Sequence, residues 1–197
     1  MYRFFSILFA LIALSAFAAA QADGTSSRRV DVFGGFSYIP QDPSLTTDGT
    51  AGITGWNASV AFPAWHPVSM VVDFSGYYPG YNVGCIGCGQ HAKIHTFLAG
   101  PQISVTRGRV SPFARFLLGD TYMHTFVDGL SNYVVFTSSN SFTFGAGGGA
   151  DVSLTHRFAL RGQVDWLHNG FTTTDNQRRY EERHNLARIS TGIVIHF

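Results

Sequence analysis

Residues 187–197 read ARISTGIVIHF, and apolar positions alternate with small, polar or charged ones up to the last residue. One face of such a strand holds Ala187, Ile189, Thr191, Ile193, Ile195 and Phe197, and the other holds Arg188, Ser190, Gly192, Val194 and His196. A period of two is typical of a β-strand. This strand is long for a globular sheet, but it has about the length that crosses a bilayer at a tilt.

The first 22 residues have the layout of a secretory signal peptide. Arg3 supplies an early positive charge, residues 4–17 form a mainly apolar stretch, and the small-residue run AAAQAD follows. Cleavage after Ala20 or Ala22 satisfies the small-residue rule, and we expect it after Ala22. No later stretch is apolar for the roughly eighteen residues that a transmembrane helix needs. An exported chain of this kind would therefore have to cross a membrane as strands.

The composition excludes some classes of partner. The net charge is only +1, so no basic field indicates nucleic acid. Charged residues make up 13% of the chain, whereas soluble domains carry about 25%. This low charge indicates that much of the surface faces something other than water.

Eight strands follow from the alternating pattern and the turn signals between its segments. They are predicted at 29–39, 55–63, 68–78, 94–106, 110–122, 141–155, 157–167 and 185–197. The connections PAWHP, TRGR and LTHR are tight, whereas 40–54, 79–93, 123–140 and 168–184 are long and polar. This regular alternation is typical of an outer-membrane barrel and is not expected of a Greek-key sandwich.

Charged residues occupy mid-strand positions opposite the apolar faces. The predicted lumenal charge network consists of Asp31, Asp73, Arg115, Asp151, Arg161, Asp165 and Arg188. Acids and bases nearly balance, as expected where buried charges must be paired. A turn centred near 155–156 would pair Asp151 with Arg161 across two strands, and Arg188 is a candidate partner for Asp165.

Large aromatic residues lie near the ends of the apolar faces. The predicted aromatic girdle consists of Tyr38, Trp56, Tyr78, Phe142, Phe158 and Trp166, with Trp65 and Phe197 also at the turn ends. Paired girdles of this kind mark the two interfaces of a membrane barrel. A soluble lipocalin-like barrel, with its apolar face inside, is the alternative that also explains the export and the strand count.

Several segments carry a resemblance to a known group: RRVDVFGGFSYIP, GWNASVAF with VVDFSGYYP, FGAGGGADVSLTHRFALRGQVDW and GIVIHF. With these segments the chain resembles the small eight-stranded outer-membrane barrels of the OmpA type, in the class of opacity-like porins. The resemblance implies that Phe197, an aromatic at the end of an amphipathic last strand, is the signal read by the barrel-assembly machinery. It does not imply an activity.

The stretch CIGCGQHAKIH raises the question of a metal site. Cys85 and Cys88 have C-x-x-C spacing, and His91 and His95 follow. A structural zinc site usually shows four compact ligands, and a c-type haem needs His directly after the second Cys, where this chain has Gly89. A small loop disulfide is the simpler interpretation in an exported protein. We therefore predict no cofactor, and these four residues remain weak metal candidates.

The sequence thus predicts an all-β, eight-stranded antiparallel up-and-down transmembrane β-barrel at 23–197, after a signal peptide at 1–22. Eight strands leave an interior that side chains fill, so a structural or surface-interaction role in the bacterial outer membrane is expected. The expected partners are outer-membrane lipids, the barrel-assembly machinery and an unidentified surface ligand, with the chain as a monomer. A narrow ion or small-solute channel is the alternative. A surface-loop enzyme is a lesser one, because no local catalytic motif stands out.

Overall fold

The computed structural model describes residues 29–40, 52–78, 80–82, 89–128, 135–175 and 178–197. The predicted signal peptide and the pair Cys85 and Cys88 lie outside these ranges. No helix long and apolar enough to cross a membrane is found among the described residues.

Within these ranges the chain forms nine strand segments. They are β1 (Asp31–Ile39), β2 (Ile53–Trp65), β3 (Val68–Tyr77), β4 (Gly80–Asn82), β5 (Gly89–Ser104), β6 (Val110–Asp128), β7 (Val135–Ser153), β8 (Phe158–Asp175) and β9 (Arg178–His196). Both β3 and β4 pair with β5, so together they make one barrel strand. Every pairing is antiparallel, and the β3–β5 and β1–β9 pairings close the sheet. The predicted eight-stranded antiparallel barrel is confirmed.

One end of the barrel, here called the turn end, holds the tight connections at 66–67, 105–109 and 154–157. Gly108 in the second turn has a φ of 63°, a left-handed conformation that favours glycine. The N-terminal and C-terminal strands meet at the same end, where Val30 and Phe197 exchange backbone hydrogen bonds of 3.2 and 2.9 Å. The opposite end is called the loop end.

The predicted strand ends are wrong at the loop end. The sequence predicts loops at 123–140 and 168–184, yet β6 and β7 stay paired up to Val127 and Val135, and β8 and β9 up to Asp175 and Arg178. The reason is local propensity: these arms contain VFT at 135–137 and FTTT at 171–174, and β-branched and aromatic residues favour strands. The sequence pattern predicts loops there because these arms are also rich in polar residues.

The barrel is apolar outside and mainly polar inside. On β9, Ile189 and Ile193 are 45% and 51% exposed, whereas Arg188 and Ser190 are buried. The same alternation runs along β8, where Val164 points outward and Asp165 inward. The interior also holds an apolar cluster, formed by Ala61, Val71, Leu98, Leu117 and Leu167. This inverted arrangement is that of a membrane barrel, since a soluble barrel would place its apolar face inside.

Candidate functional site in the barrel lumen

Four buried charged residues form a closed cycle in the lumen, here called the ion-pair ring: Asp73, Arg115, Asp165 and Arg188. Arg115 donates from Nε and Nη2 to the two carboxylate oxygens of Asp165, at 2.8 and 2.6 Å. Arg188 donates to Asp165 from Nε at 3.0 Å and to Asp73 from Nη1 at 2.8 Å. A 3.3 Å ion pair between Arg115 and Asp73 completes the cycle.

The ring spans the lumen because its members come from four strands: β3, β6, β8 and β9. All four residues are at most 4% exposed. Two carboxylates and two guanidinium groups cancel, so the interior carries buried charge without net charge. The ion pairs therefore connect opposite walls of the barrel across the lumen.

A glycine on β7 makes room for the ring. Gly147 is the register partner of both Arg115 and Asp165, so these two side chains meet across β7 directly over it. A Cβ added at Gly147 would overlap Oδ1 of Asp165. The run GAGGGA is therefore a slim stretch of strand that lets neighbouring side chains fill the lumen.

Neutral side chains extend the hydrogen bonding of the ring. Asn57 donates from Nδ2 to Asp73 at 3.0 Å and accepts from Gln163 Nε2 at 2.8 Å. Arg188 Nη1 also donates to the Ser75 hydroxyl at 3.2 Å. Buried polar groups are retained at low cost only when they are satisfied in this way.

A separate ion pair lies nearer the turn end. Arg161 donates to both oxygens of Asp151 at 2.6 and 2.7 Å, and the two residues are register partners, as predicted from the turn. The guanidinium carbon lies 4.6 Å from the Phe113 ring centroid and 5.3 Å from that of Phe33. The sequence predicts one continuous network. The structure instead has the ring and this aromatic-flanked pair, because Arg161 directs both of its bonds to its own cross-strand neighbour.

Asp31 does not join the predicted lumenal charge network. It lies at the turn end, where His196 Nδ1 is 2.6 Å from its Oδ1 and its side chain is 28% exposed. Asp31 is the first residue of β1, so it reaches the rim and not the middle of the lumen. The alternation along β1 predicts correctly that Asp31 is on the lumenal face, but it does not predict that Asp31 lies at the rim of the lumen.

The predicted girdle aromatics lie on the outer wall. Trp56, Tyr78, Phe142, Phe158 and Trp166 are 41–62% exposed, and Tyr38 is half-buried. The Trp56 indole donates to the Tyr78 hydroxyl at 3.3 Å. Trp65 and Phe197, at the turn end, are 70% and 72% exposed. Large aromatic side chains therefore mark both ends of the apolar wall.

The weak metal candidates are not brought together in the described part of the chain. His95 is half-buried on the outer wall, with its ring 5.9 Å from that of Tyr78. His91 belongs to β5, but its side chain, like Cys85 and Cys88, lies outside what the structure describes. Among the described residues, no group of three or more potential ligands is placed to hold a metal ion.

The aromatic contacts of two histidines on the outer wall, His124 and His168, were not predicted from the sequence. Tyr122 and His124 pack ring to ring at 4.4 Å, and His168 lies 4.8 Å from Phe144 and 5.8 Å from Trp166. The available signal was the spacing of two residues in Tyr122–His124 and Trp166–His168, which places both rings on one face of a strand.

The sequence matches no family model and no curated protein. Solved structures do match. Ail, the attachment invasion locus protein of Yersinia pestis, in complex with the heparin analogue sucrose octasulfate, is 13% identical with a TM-score of 0.61. A major outer membrane protein from Thermus thermophilus is also 13% identical, with a TM-score of 0.64. Each match covers 87% of this chain and 100% of the other.

Neisserial surface protein A is 15% identical with a TM-score of 0.57, over 89% of this chain and 100% of that chain. These identities are low, but the coverage is nearly complete in each comparison. The chain therefore has the fold of the small eight-stranded outer-membrane β-barrels, which is the group that the sequence pattern indicates.

Proposed function

We propose that the chain is an integral protein of the bacterial outer membrane, with a lumen filled by its own side chains and a structural or surface-interaction role. The observation that carries this proposal is the inverted distribution of side chains. The ion-pair ring is buried inside the barrel, while Phe36, Phe97, Val164 and Ile193 are about half exposed on the outer wall. An apolar wall of this kind is stable when lipid covers it.

The outer-membrane location is supported by the fold shared with Ail, Neisserial surface protein A and the Thermus protein. A signal peptide at 1–22 would deliver the chain to the periplasm. In the proposed topology, the turn end and the N- and C-terminal strands face the periplasm, and the loop end faces outward. Phe197, exposed at the end of β9, is the proposed recognition element for the barrel-assembly machinery.

The ion-pair ring favours a closed barrel over a channel. Its side chains cross the lumen between four strands and bond to one another, so an ion on the barrel axis would have to separate buried pairs. We propose no enzymatic activity, since the buried charges bond to each other and present no activated nucleophile. Because Ail was solved with a heparin analogue, sulfated sugars are suitable first probes for a surface ligand of this chain.

The location is tested by fractionating cells that express the full chain and running outer-membrane fractions on gels with and without boiling. A folded barrel in the outer membrane is expected to migrate faster in the unboiled sample. Recovery in the soluble periplasmic fraction would refute the membrane assignment.

The closed lumen is tested by recording from purified protein in planar bilayers. Only background conductance is expected. Stable, single-sized conductance steps from the wild-type protein would favour the channel alternative and contradict a lumen sealed by the ion-pair ring.

A further inference from the structure

The turn end of the barrel contains a cavity of about 700 Å³, here called the vestibule. This volume falls within the range of about 300–1,000 Å³ seen for small-molecule sites. Asp151 lines the vestibule, and it forms a bidentate bond to the buried Arg161. The other lining residues lie in the turns and at the strand ends of the turn end, so the vestibule opens there.

Polar side chains predominate in the lining of the vestibule. Hydroxyl groups are contributed by Ser104, Thr106, Ser111, Ser153 and Thr155. Leu154 is the one aliphatic side chain among the described lining residues. A hydroxyl-rich wall of this kind suits a ligand that carries many hydrogen-bonding groups of its own.

One lining side chain has an unmet requirement for a donor. Gln102 is 3% exposed, and its Oε1 atom has no hydrogen-bond partner among the described residues. A buried amide oxygen without a partner costs stability, so a bound hydroxyl or N–H group would satisfy it. This atom points to a ligand that donates hydrogen bonds in the depth of the vestibule.

The charges around the vestibule favour an anion. Its acids are already engaged, because Asp151 pairs with Arg161 and Asp31 contacts His196. Its arginines, Arg29 and Arg109, form no ion pair with another described residue. Two guanidinium groups at the mouth of a polar pocket are suited to hold a carboxylate.

The geometry points to a binding site for a small carboxylate that also carries hydroxyl or amide donors, the chemistry of an acidic amino sugar. The arginines hold the carboxylate at the mouth, and a ligand hydroxyl or amide donates to Gln102. Access from the periplasm rests on the proposed outer-membrane topology, but binding itself does not. A measurement on refolded protein in micelles therefore separates failure of this site from failure of the membrane assignment.

The test is a saturation-transfer NMR titration of the refolded full chain with N-acetylmuramate, and with N-acetylglucosamine, which lacks the lactyl carboxylate. N-acetylmuramate is expected to bind saturably with a Kd of about 1 mM, and the neutral sugar at least about threefold more weakly. No saturable binding of N-acetylmuramate, or equal binding of both sugars, would overturn the proposal.

Two arginines of one turn supply a matched pair of variants. Arg109 lines the vestibule and Arg107 does not, and both lie in the exposed turn at 105–109. Arg109→Gln is expected to weaken N-acetylmuramate binding by about three- to tenfold, whereas Arg107→Gln leaves it unchanged. Equal effects of the two variants would reduce the binding to a general attraction of anions and refute a built site. The heat-dependent gel shift verifies that each variant is folded.

Discussion

Arg161 and Asp151 show at the residue scale why buried charge is tolerated in this lumen. Each carboxylate oxygen of Asp151 accepts a short bond from the guanidinium group, and two aromatic rings lie beside that group. Removing one partner leaves the other as an uncompensated charge, which is more costly than removing both. The pair is therefore suited to a double-mutant cycle.

We expect Asp151→Ala and Arg161→Met each to lower the free energy of unfolding by about 3–5 kcal/mol. Methionine is used because it keeps much of the arginine stem, which separates lost charge from lost packing. The double variant is expected to cost clearly less than the sum of the two, as measured by urea unfolding from lipid vesicles. Additive effects would mean that the two side chains do not interact in the folded protein.

Gly147 provides a second prediction, because the ion-pair ring passes directly over it. A Cβ there would overlap Asp165 Oδ1 and lie 2.6 Å from the Val164 carbonyl oxygen, so Gly147→Ala has to displace the ring or the backbone. The expected loss is about 2–5 kcal/mol in the same unfolding experiment.

Gly162→Ala is the matched control on the neighbouring strand β8, since a Cβ at Gly162 meets nothing within 4 Å. Its effect is expected to stay below about 1 kcal/mol. If the two alanine variants were equally stable, Gly147 would not be holding space for Asp165.

The residue contacts could be predicted from sequence only where strands are adjacent. Asp151 and Arg161 follow from a tight turn and antiparallel pairing, and so do Asp165 and Arg188 as register partners. The contact between Arg115 and Asp165 could not be predicted, because these residues lie on β6 and β8 with β7 between them. The two side chains meet because Gly147, their register partner on β7, has no side chain between them, and because the wall of the closed barrel curves.

At the scale of the strand, the alternation of faces determines which substitutions are tolerated. Val164 and Leu160 lie on the outer wall of β8 and are 53% and 48% exposed. Leu160 is close to the turn end, whereas Val164 lies further along the strand toward the middle of the wall. The two positions therefore differ in expected membrane depth and little in exposure.

Val164→Arg is expected to lower the free energy of unfolding in lipid by about 2–4 kcal/mol, and Leu160→Arg by only about 0–1 kcal/mol. The reason is that the cost of an arginine in lipid falls steeply toward the interface. Urea titrations of both variants in the same vesicles measure the difference. Two equally small effects would indicate that water, not lipid, covers this wall.

The faces of the strands could be predicted from sequence, but their ends could not. Alternation placed Arg188 inside and Ile189 outside, as found, because one face of each strand is buried. At the loop end the strand arms mix many threonine, serine and asparagine residues with single apolar ones such as Phe126, Val127 and Phe171, so the alternation that marks a buried face is lost there. Backbone pairing continues beyond the regular alternation, and the hydrophobic pattern does not report it.

At the scale of the whole molecule, the barrel carries apolar side chains on its outer wall and buried charged side chains in its lumen. Long amphipathic strands, few charged residues and alternating connections were sufficient to predict that architecture. The four-residue ion-pair ring and the vestibule at the turn end were not predictable. Both depend on several strands meeting in three dimensions, whereas the sequence pattern describes one strand at a time.

Lipid covers the apolar wall in the proposed membrane barrel, and the three tryptophans of the chain report on this directly. Trp56, Trp65 and Trp166 all lie on the outer wall and are 41%, 70% and 45% exposed. Trp56 is near the loop-end start of β2 and Trp65 is at the turn end, so both are expected at the depth of the membrane interfaces, whereas Trp166 lies two residues beyond Val164 on β8.

The measurement is tryptophan fluorescence of the refolded protein in vesicles that contain spin-labelled lipids. We predict strong quenching, greater when the label is near the headgroup than when it is at the end of the acyl chain, and weak quenching by aqueous acrylamide. Efficient quenching by acrylamide with none by either lipid label would place the tryptophans in water and contradict a lipid-covered wall.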